Sequence, residues 1–233
     1  MIPLFDRSEC QVRLPQSSDK RVSSFRQGEL HKELRALNSP DVIEAYEADM
    51  ESLAVLENIE ANPLPDKYGQ AIHYCASKAI FGQQTVPEKI EVMDPGMRKN
   101  LGVDIEAKLL DLMGWREGSE HDFLIADVEV ECKWSLTNSW MVGKRQQGAL
   151  CLLGCMSEQG FSFGLFRARP ELLGKPNQDS KRGLSRDGRK NILWLAHDHP
   201  LPSGEQANQH FLQLLRGELE QAYGADALRA VWE

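Results

Sequence analysis

Residues 121–134 read His121-Asp122-Phe123-Leu124-Ile125-Ala126-Asp127-Val128-Glu129-Val130-Glu131-Cys132-Lys133-Trp134. Val128, Val130, Cys132 and Trp134 alternate with Asp127, Glu129, Glu131 and Lys133. In a strand, successive side chains point to opposite faces, so one face is apolar and the other charged. The spacing predicts strands over His121–Ile125 and Val128–Trp134, joined by a tight turn at Ala126-Asp127.

Outward from this hairpin the period changes. Upstream, apolar positions recur at helical spacing over Glu29–Leu37, Pro40–Ile59 and Gly69–Phe81, with Ser39-Pro40 as an N-cap and first-turn pair. Asn62-Pro63-Leu64-Pro65 is a stop and a boundary signal. Pro95 precedes a helix over Met97–Met113 that closes on Gly114. Downstream, Ala149–Met156 and Phe161–Ala168 are apolar runs separated by Glu158-Gln159-Gly160, as inner strands are, and Ile192–Ala196 suits a last short strand. Residues 169–190 read as a basic loop, and Glu205–Leu215 as a closing helix. The order predicts an α/β (α+β) fold with a central mixed sheet flanked by helices and preceded by an N-terminal helical segment. The expected division is an N-terminal arm with acidic helices over 1–66, its first 28 residues polar and weakly periodic, and a main domain over 67–233.

The composition is that of an ordinary globular chain: 233 residues, 41% hydrophobic and 27% charged. Collagen-like, coiled-coil and wholly disordered readings are excluded. No apolar run approaches the roughly 20 residues that span a bilayer, and the N-terminus lacks a basic stretch followed by an apolar one, so no secretion is signalled. The expectation is a soluble, cytoplasmic protein with no membrane partner. Cys10, Cys75, Cys132, Cys151 and Cys155 are scattered and odd in number, which suits buried thiols better than a disulfide framework or a zinc site.

The net charge of −8 is unevenly spread. Between Glu29 and Asn62 nine acids meet two Lys or Arg, the pattern of a solvated helix surface. Between Leu165 and Asn191 eight Lys or Arg meet three acids, which suits either an ordinary surface or a face turned to phosphate.

Acid-x-Lys occurs three times, at Glu106-Ala107-Lys108, Glu131-Cys132-Lys133 and Asp179-Ser180-Lys181, but on a predicted strand only at Glu131. Asp122 on the preceding strand gives a second acid. Two carboxylates on neighbouring strands can hold a divalent cation, and a lysine two residues beyond one of them shares its face. A charged face turned to water gives the same spacing, so both readings stand. Glu106 lies within an apolar helical stripe of Gly102, Val103, Leu109, Leu110 and Met113. It either escapes at the stripe's edge or faces the sheet, where it would join Asp122 and Glu131. Three gathered carboxylates repel unless a cation is bound.

The run from Gly118 through Asp122 to Glu131-Cys132-Lys133-Trp134-Ser135 resembles the PD-(D/E)xK nuclease motif, and more specifically the catalytic domain of NaeI-type type II restriction endonucleases. The likeness extends over about residues 95–200, through Ser139-Trp140-Met141, Gly164–Ala168, Asp179–Ser185, Gly188-Arg189 and Ile192–Leu195. It implies a restriction-endonuclease-like core and Mg²⁺-dependent, sequence-specific cleavage of double-stranded DNA with 5′-phosphate ends. A nicking, repair or modification-dependent endonuclease of the same fold is the alternative. Lys133 matches the catalytic lysine and Glu106 the upstream helical acid. Asp122, Glu131 and Cys132 form the expected ion-binding set. His121 stands where the general motif has proline.

Basic and amide side chains then gain a reading. Asn138, Lys144, Arg145, Lys181, Arg182, Arg186, Arg189 and Lys190 are the expected DNA contacts. Gln146, Gln147, Asn177 and Gln178 join Asn138, Lys144 and Arg145 as candidate base readers. Trp140 and Met141 would either wedge against DNA or, more in keeping with their type, pack on the sheet. A two-fold homodimer on a palindrome and a monomer that nicks twice both fit, and a cognate DNA methyltransferase is the expected functional partner. A binding module whose acidic helices engage a partner is the reading outside enzymology.

Overall fold

The computed structural model describes residues 32, 34–60, 64–81, 95–157, 160–200 and 221. The predicted arm over 1–28 and the predicted helix over Glu205–Leu215 lie outside the described residues, as does Cys10.

Helices α1 (Pro40–Glu47), α2 (Met50–Glu60), α3 (Leu64–Phe81) and α4 (Pro95–Met113) precede the sheet, and residues 34–37 are helical as well. Ser39 stands at the N-cap of α1 with proline following, and Gly114 takes a φ of 64° just beyond α4, as a helix-ending glycine does. Strands β1 (Arg116–Glu117), β2 (Phe123–Ile125), β3 (Val128–Ser135), β4 (Met141–Val142), β5 (Leu150–Ser157) and β6 (Gly160–Arg167) follow. The chain continues with β7 (Leu173–Pro176), β8 (Arg182–Leu184), the short α5 (Arg186–Lys190) and β9 (Leu193–His199). The central sheet has the order β1-β2-β3-β5-β6-β9, with β3 and β5 parallel and its other pairs antiparallel. The mixed sheet read from the sequence is present. The supposed basic loop is more ordered than expected, because β4, β8 and β7 form a second, antiparallel sheet.

Strand alternation sorts the core into two layers. On the helical side Val130, Cys132, Leu150, Leu152, Phe161, Phe163 and Leu165 join Tyr46, Val55, Tyr68, Ile72, Ile105 and Leu109. On the other side Cys151, Leu153, Cys155 and Phe166 join Trp140, Val142, Leu173 and Ile192. Strands covered on both faces need apolar residues at every position, which explains the unbroken runs of β5 and β6. Cys75, Cys132, Cys151 and Cys155 are buried free thiols. Trp140 packs here rather than standing as a wedge, and its indole Nε1 donates to the Gly154 carbonyl at 3.0 Å.

The acidic N-terminal segment is not simply solvated. Val42, Ile43 and Tyr46 of α1 are buried, and the Tyr46 hydroxyl donates to the Leu165 carbonyl at 2.8 Å. Arg167, at the end of β6, reaches Asp49 Oδ2 through Nε at 2.9 Å and Glu51 Oε2 through Nη1 at 2.9 Å. One guanidinium of the basic stretch is thus committed to the acidic one. No described helix is long and apolar enough to cross a membrane.

Gly154 is a point of close approach between sheet and helices. A Cβ there would lie 1.7 Å from the Tyr68 hydroxyl and 3.2 Å from Trp134 Cε3. Tyr68 is pinned by stacking on Phe163 at a centroid distance of 4.3 Å, so it has little room to retreat. Gly154→Ala is therefore expected to destabilise the protein by about 1–3 kcal/mol, read as a lower urea midpoint at unchanged slope.

Candidate functional site

The hairpin sets the geometry. Ala126 and Asp127 have φ values of 51° and 62°, the two left-handed residues of a type I′ turn, whose twist matches that of the strands it joins. The register pairs Phe123 with Val130 and Ile125 with Val128. Continuing that register by one residue sets Asp122 across from Glu131, and directly opposed residues share a face. Asp122 Oδ2 accepts the Cys132 N–H at 2.7 Å, so the side chain carries the ladder one step beyond β2.

Glu131 is buried, at 5% exposure, beside Cys151 of the parallel neighbour strand. A buried carboxylate requires partners. Oε1 accepts from Lys133 Nζ and from Gln146 Nε2, and Oε2 lies 3.0 Å from His121 Nδ1. Of the two readings of this face, the geometry favours the ordered one over a solvated surface. Glu129, at a more exposed position, is ordered too: its carboxylate accepts the Ser119 hydroxyl at 2.7 Å and the main-chain N–H groups of Ser119 and His121 at 2.8 and 3.0 Å. Those bonds, the Ser119 hydroxyl foremost, hold the Glu129 carboxyl down to about 2. They also fold the Gly118–His121 loop onto β3. A Cβ on Gly118 would meet the His121 carbonyl oxygen at 2.1 Å, so the loop closes only around glycine.

Glu106 approaches from the helical side. Gly102 lies one turn earlier on the same face of α4, where a Cβ would sit 3.5 Å from Trp134. This close packing of α4 on Trp134 brings Glu106 near the stretch of β3 that β2 leaves unpaired. Burial first, then the charges of Asp122 and Glu131, push the Glu106 carboxyl up to about 7. Burial likewise raises Asp122. Glu106 therefore faces the sheet instead of escaping at the stripe's edge.

The three acids sense one another without forming a closed cage: among the described residues no three His, Cys, Asp or Glu side chains are grouped as an ion-binding set. The reason is positional. Glu106 comes from one face of β3, Glu131 occupies the other, and Asp122 reaches the strand's edge. Cys132 lies between them with its thiol in the helical-side core, where burial raises it well above an ordinary thiol. Its N–H is bound by Asp122, and its buried thiol shares the helical side with Glu106. Within a strand, the N–H and C=O of one residue point to the same side, so the Cys132 carbonyl shares the edge that Asp122 lines. Carboxylates that repel one another and hard oxygen donors match the chemistry a divalent cation requires.

The family model for the restriction endonuclease NaeI matches residues 54–207, about two thirds of the sequence. The chain belongs to the NaeI restriction endonuclease family. The type II restriction enzyme NaeI of Lentzea aerocolonigenes is 31% identical over 141 residues, a match spanning 59% of this chain and 44% of that protein. The chain thus spans less than half the length of this NaeI relative. The family match begins within α2 and takes in α3, upstream of the region whose likeness the motif alone carries.

The expected DNA contacts divide. Lys144 and Arg145 sit exposed on a single 3-10 turn after β4, and Lys181, Arg186 and exposed Asn138 line the second sheet and its loops. Arg182 is half-buried and donates to the Gly174 and Leu173 carbonyls at 2.7 and 3.1 Å, so it is bound into β7–β8. Arg189 donates to the Asn138 carbonyl at 2.7 Å, and Lys190 pairs with Asp187 at 3.1 Å. Asn177 spends its carbonyl oxygen on the N–H groups of Asp179 and Lys181. Gln146, expected among the base readers, turns inward to Glu131 instead. Sequence reasoning missed Glu129 and His121 as organisers of the site, although the alternation that places Glu131 also places Glu129.

The direction of the Glu106 shift fixes a pH dependence. The folded cation-free protein holds this proton up to about 7, whereas an unfolded glutamate loses it near 4.3. The native state binds more protons in that window, so stability falls as pH rises through it. Glu106→Gln should flatten the slope between roughly pH 4.5 and 7 and raise the unfolding midpoint at pH 8 in chelator. An unchanged slope would place Glu106 away from Asp122 and Glu131.

Proposed function

We propose that this member of the NaeI family is a type II restriction endonuclease that hydrolyses double-stranded DNA at specific sites with Mg²⁺ as cofactor. The observation that carries the reading is the buried Glu131 carboxylate, bonded to Lys133 and set across from Asp122, with Glu106 close enough to be raised by both. Family membership supports the activity, and the acid–lysine arrangement supports the residue roles.

In this reading Asp122, Glu131 and the Cys132 carbonyl hold the cation, with Glu106 as the third carboxylate. When bound, the cation supplies positive charge at the scissile phosphate. Lys133 is partly buried and presents its ammonium on the face of Glu131, where it orients the attacking water and stabilises charge on the phosphate oxygens. The water oxygen bonds to phosphorus while the P–O3′ bond breaks. The proton the attacking water gives up passes to solvent, the departing 3′ oxygen takes one from solvent, and the phosphate stays on the 5′ end. Lys144, Arg145, Lys181 and Arg186 supply phosphate contacts that set the duplex on the second sheet. Residues 67–233 carry every member of this site, and the acidic segment ahead of them braces the end of β6 through Arg167, whose neighbour Phe166 is in register with Cys151 and Glu131. A chain with this activity needs its host's sites protected, which makes a methyltransferase of the same specificity its functional partner. A homodimer would give a palindrome one subunit per half-site.

Lys133→Ala should keep duplex binding and lower cleavage of phage DNA in Mg²⁺ by about 10²–10³-fold. Glu131→Ala should abolish cleavage together with its dependence on the metal. End-sequencing of the fragments would give the recognition site and the end chemistry. Wild-type protein that leaves phage DNA intact at every Mg²⁺ concentration, or a Lys133→Ala variant that cuts at the normal rate, would defeat the assignment. Lys144→Ala should weaken binding equally across sequences and lower the salt slope by about one, measured by fluorescence anisotropy.

A further inference from the structure

Gln146 is not used by the proposed reaction, yet it is held more closely than a surface amide needs to be. It ends the 3-10 turn Lys144–Gln146. Its side-chain carbonyl accepts the Gly143 N–H at 2.8 Å, and its main-chain N–H donates to the Gly143 carbonyl at 3.1 Å. With the oxygen committed to Gly143, the amide nitrogen is left to face Glu131 Oε1, to which it donates. A Cβ on Gly143 would stand 3.3 Å from that amide oxygen, so the approach leaves little room for a side chain there. The amide orientation is thus fixed by its own turn rather than by Glu131.

The partners of Glu131 differ in kind. Lys133 and His121 come from β3 itself and from the loop folded against it, and Lys133 is a flexible chain with work of its own. Gln146 is neutral, comes from a separate segment 15 residues on, and is anchored at its far end. A hydrogen bond from a fixed neutral donor orients a carboxylate without competing as a charge for the ion it is to bind. Loss of such outer partners lowers metal affinity by roughly 10–100-fold.

We infer that Gln146 is a positioning residue for the Glu131 carboxylate, holding it in the orientation in which it binds the divalent cation. This rests on the proposed function only in taking Glu131 as a cation ligand. It also links two parts of the molecule, because Lys144 and Arg145 of the same turn are exposed toward solvent while Gln146 points inward.

The test is a titration of the chelator-treated full chain with Mn²⁺, followed by the loss of the free-ion paramagnetic signal, alongside urea unfolding of the same samples. Gln146→Ala and Gln146→Met, the latter keeping the bulk without the donor, should each bind Mn²⁺ roughly tenfold more weakly. Gln147→Ala, one residue on, should bind as the wild type does. The Mg²⁺ concentration for half-maximal cleavage of phage DNA should shift in the same direction for both Gln146 variants. Wild-type affinity in a normally folded Gln146→Met would overturn the inference while leaving the nuclease reading intact. Wild-type protein that binds no Mn²⁺ would overturn both. A wild type that binds Mn²⁺ but leaves DNA uncut would remove the nuclease reading alone.

Discussion

The site depends on the stabilisation of one carboxylate that the fold buries. Glu131 lies on a strand whose neighbour, β5, is apolar on both faces, so its surroundings are those of a core residue. Unpaired, an ionised group there would cost several kcal/mol. Lys133, Gln146 and His121 meet that cost from three positions in the chain. The loop before β2, the turn after β4 and β3 itself must then sit correctly together, because each contributes to the same small volume. Structural and chemical constraint coincide at this residue.

Much of this was legible in the sequence, and the reason is period. The two-residue alternation over Val128–Trp134 separated the charged face from the core face, and the register around Ala126-Asp127 placed Asp122 by arithmetic. Glu106 was legible as an anomaly, a charge where the helical stripe called for an apolar residue. Two things were not. The orientation of Gln146 depends on a turn closed 15 residues from Glu131, and no periodicity reports on such a contact. The second sheet is not legible as strands because β7 and β8 are only four and three residues long and contain glycine and proline, which lower strand propensity.

Charge counting alone leaves the basic stretch open. The eight Lys and Arg between Leu165 and Asn191 suit either an ordinary surface or a face turned to phosphate. Arg167 is bound by Asp49 and Glu51, Arg182 by two carbonyls of its own sheet, and Lys190 by Asp187. Guanidinium groups suit such structural duty because they are planar, permanently charged and rich in donors. Exposed Lys144 and Arg145, outside the counted stretch, lie on the turn that also touches the buried acid. The net charge of the chain describes none of this, since much of the acidic excess lies on the N-terminal segment, part of it paired with Arg167.

The two-residue turn at Ala126-Asp127 carries an evolutionary corollary. Side chains along a strand have a parity, and the turn fixes that parity for everything after it. A residue gained or lost within β3 ahead of Glu131, unless a bulge or a longer turn absorbs it, would exchange the lining of the interior with that of the catalytic face, bringing a thiol where an acid is needed and an acid where oil is needed.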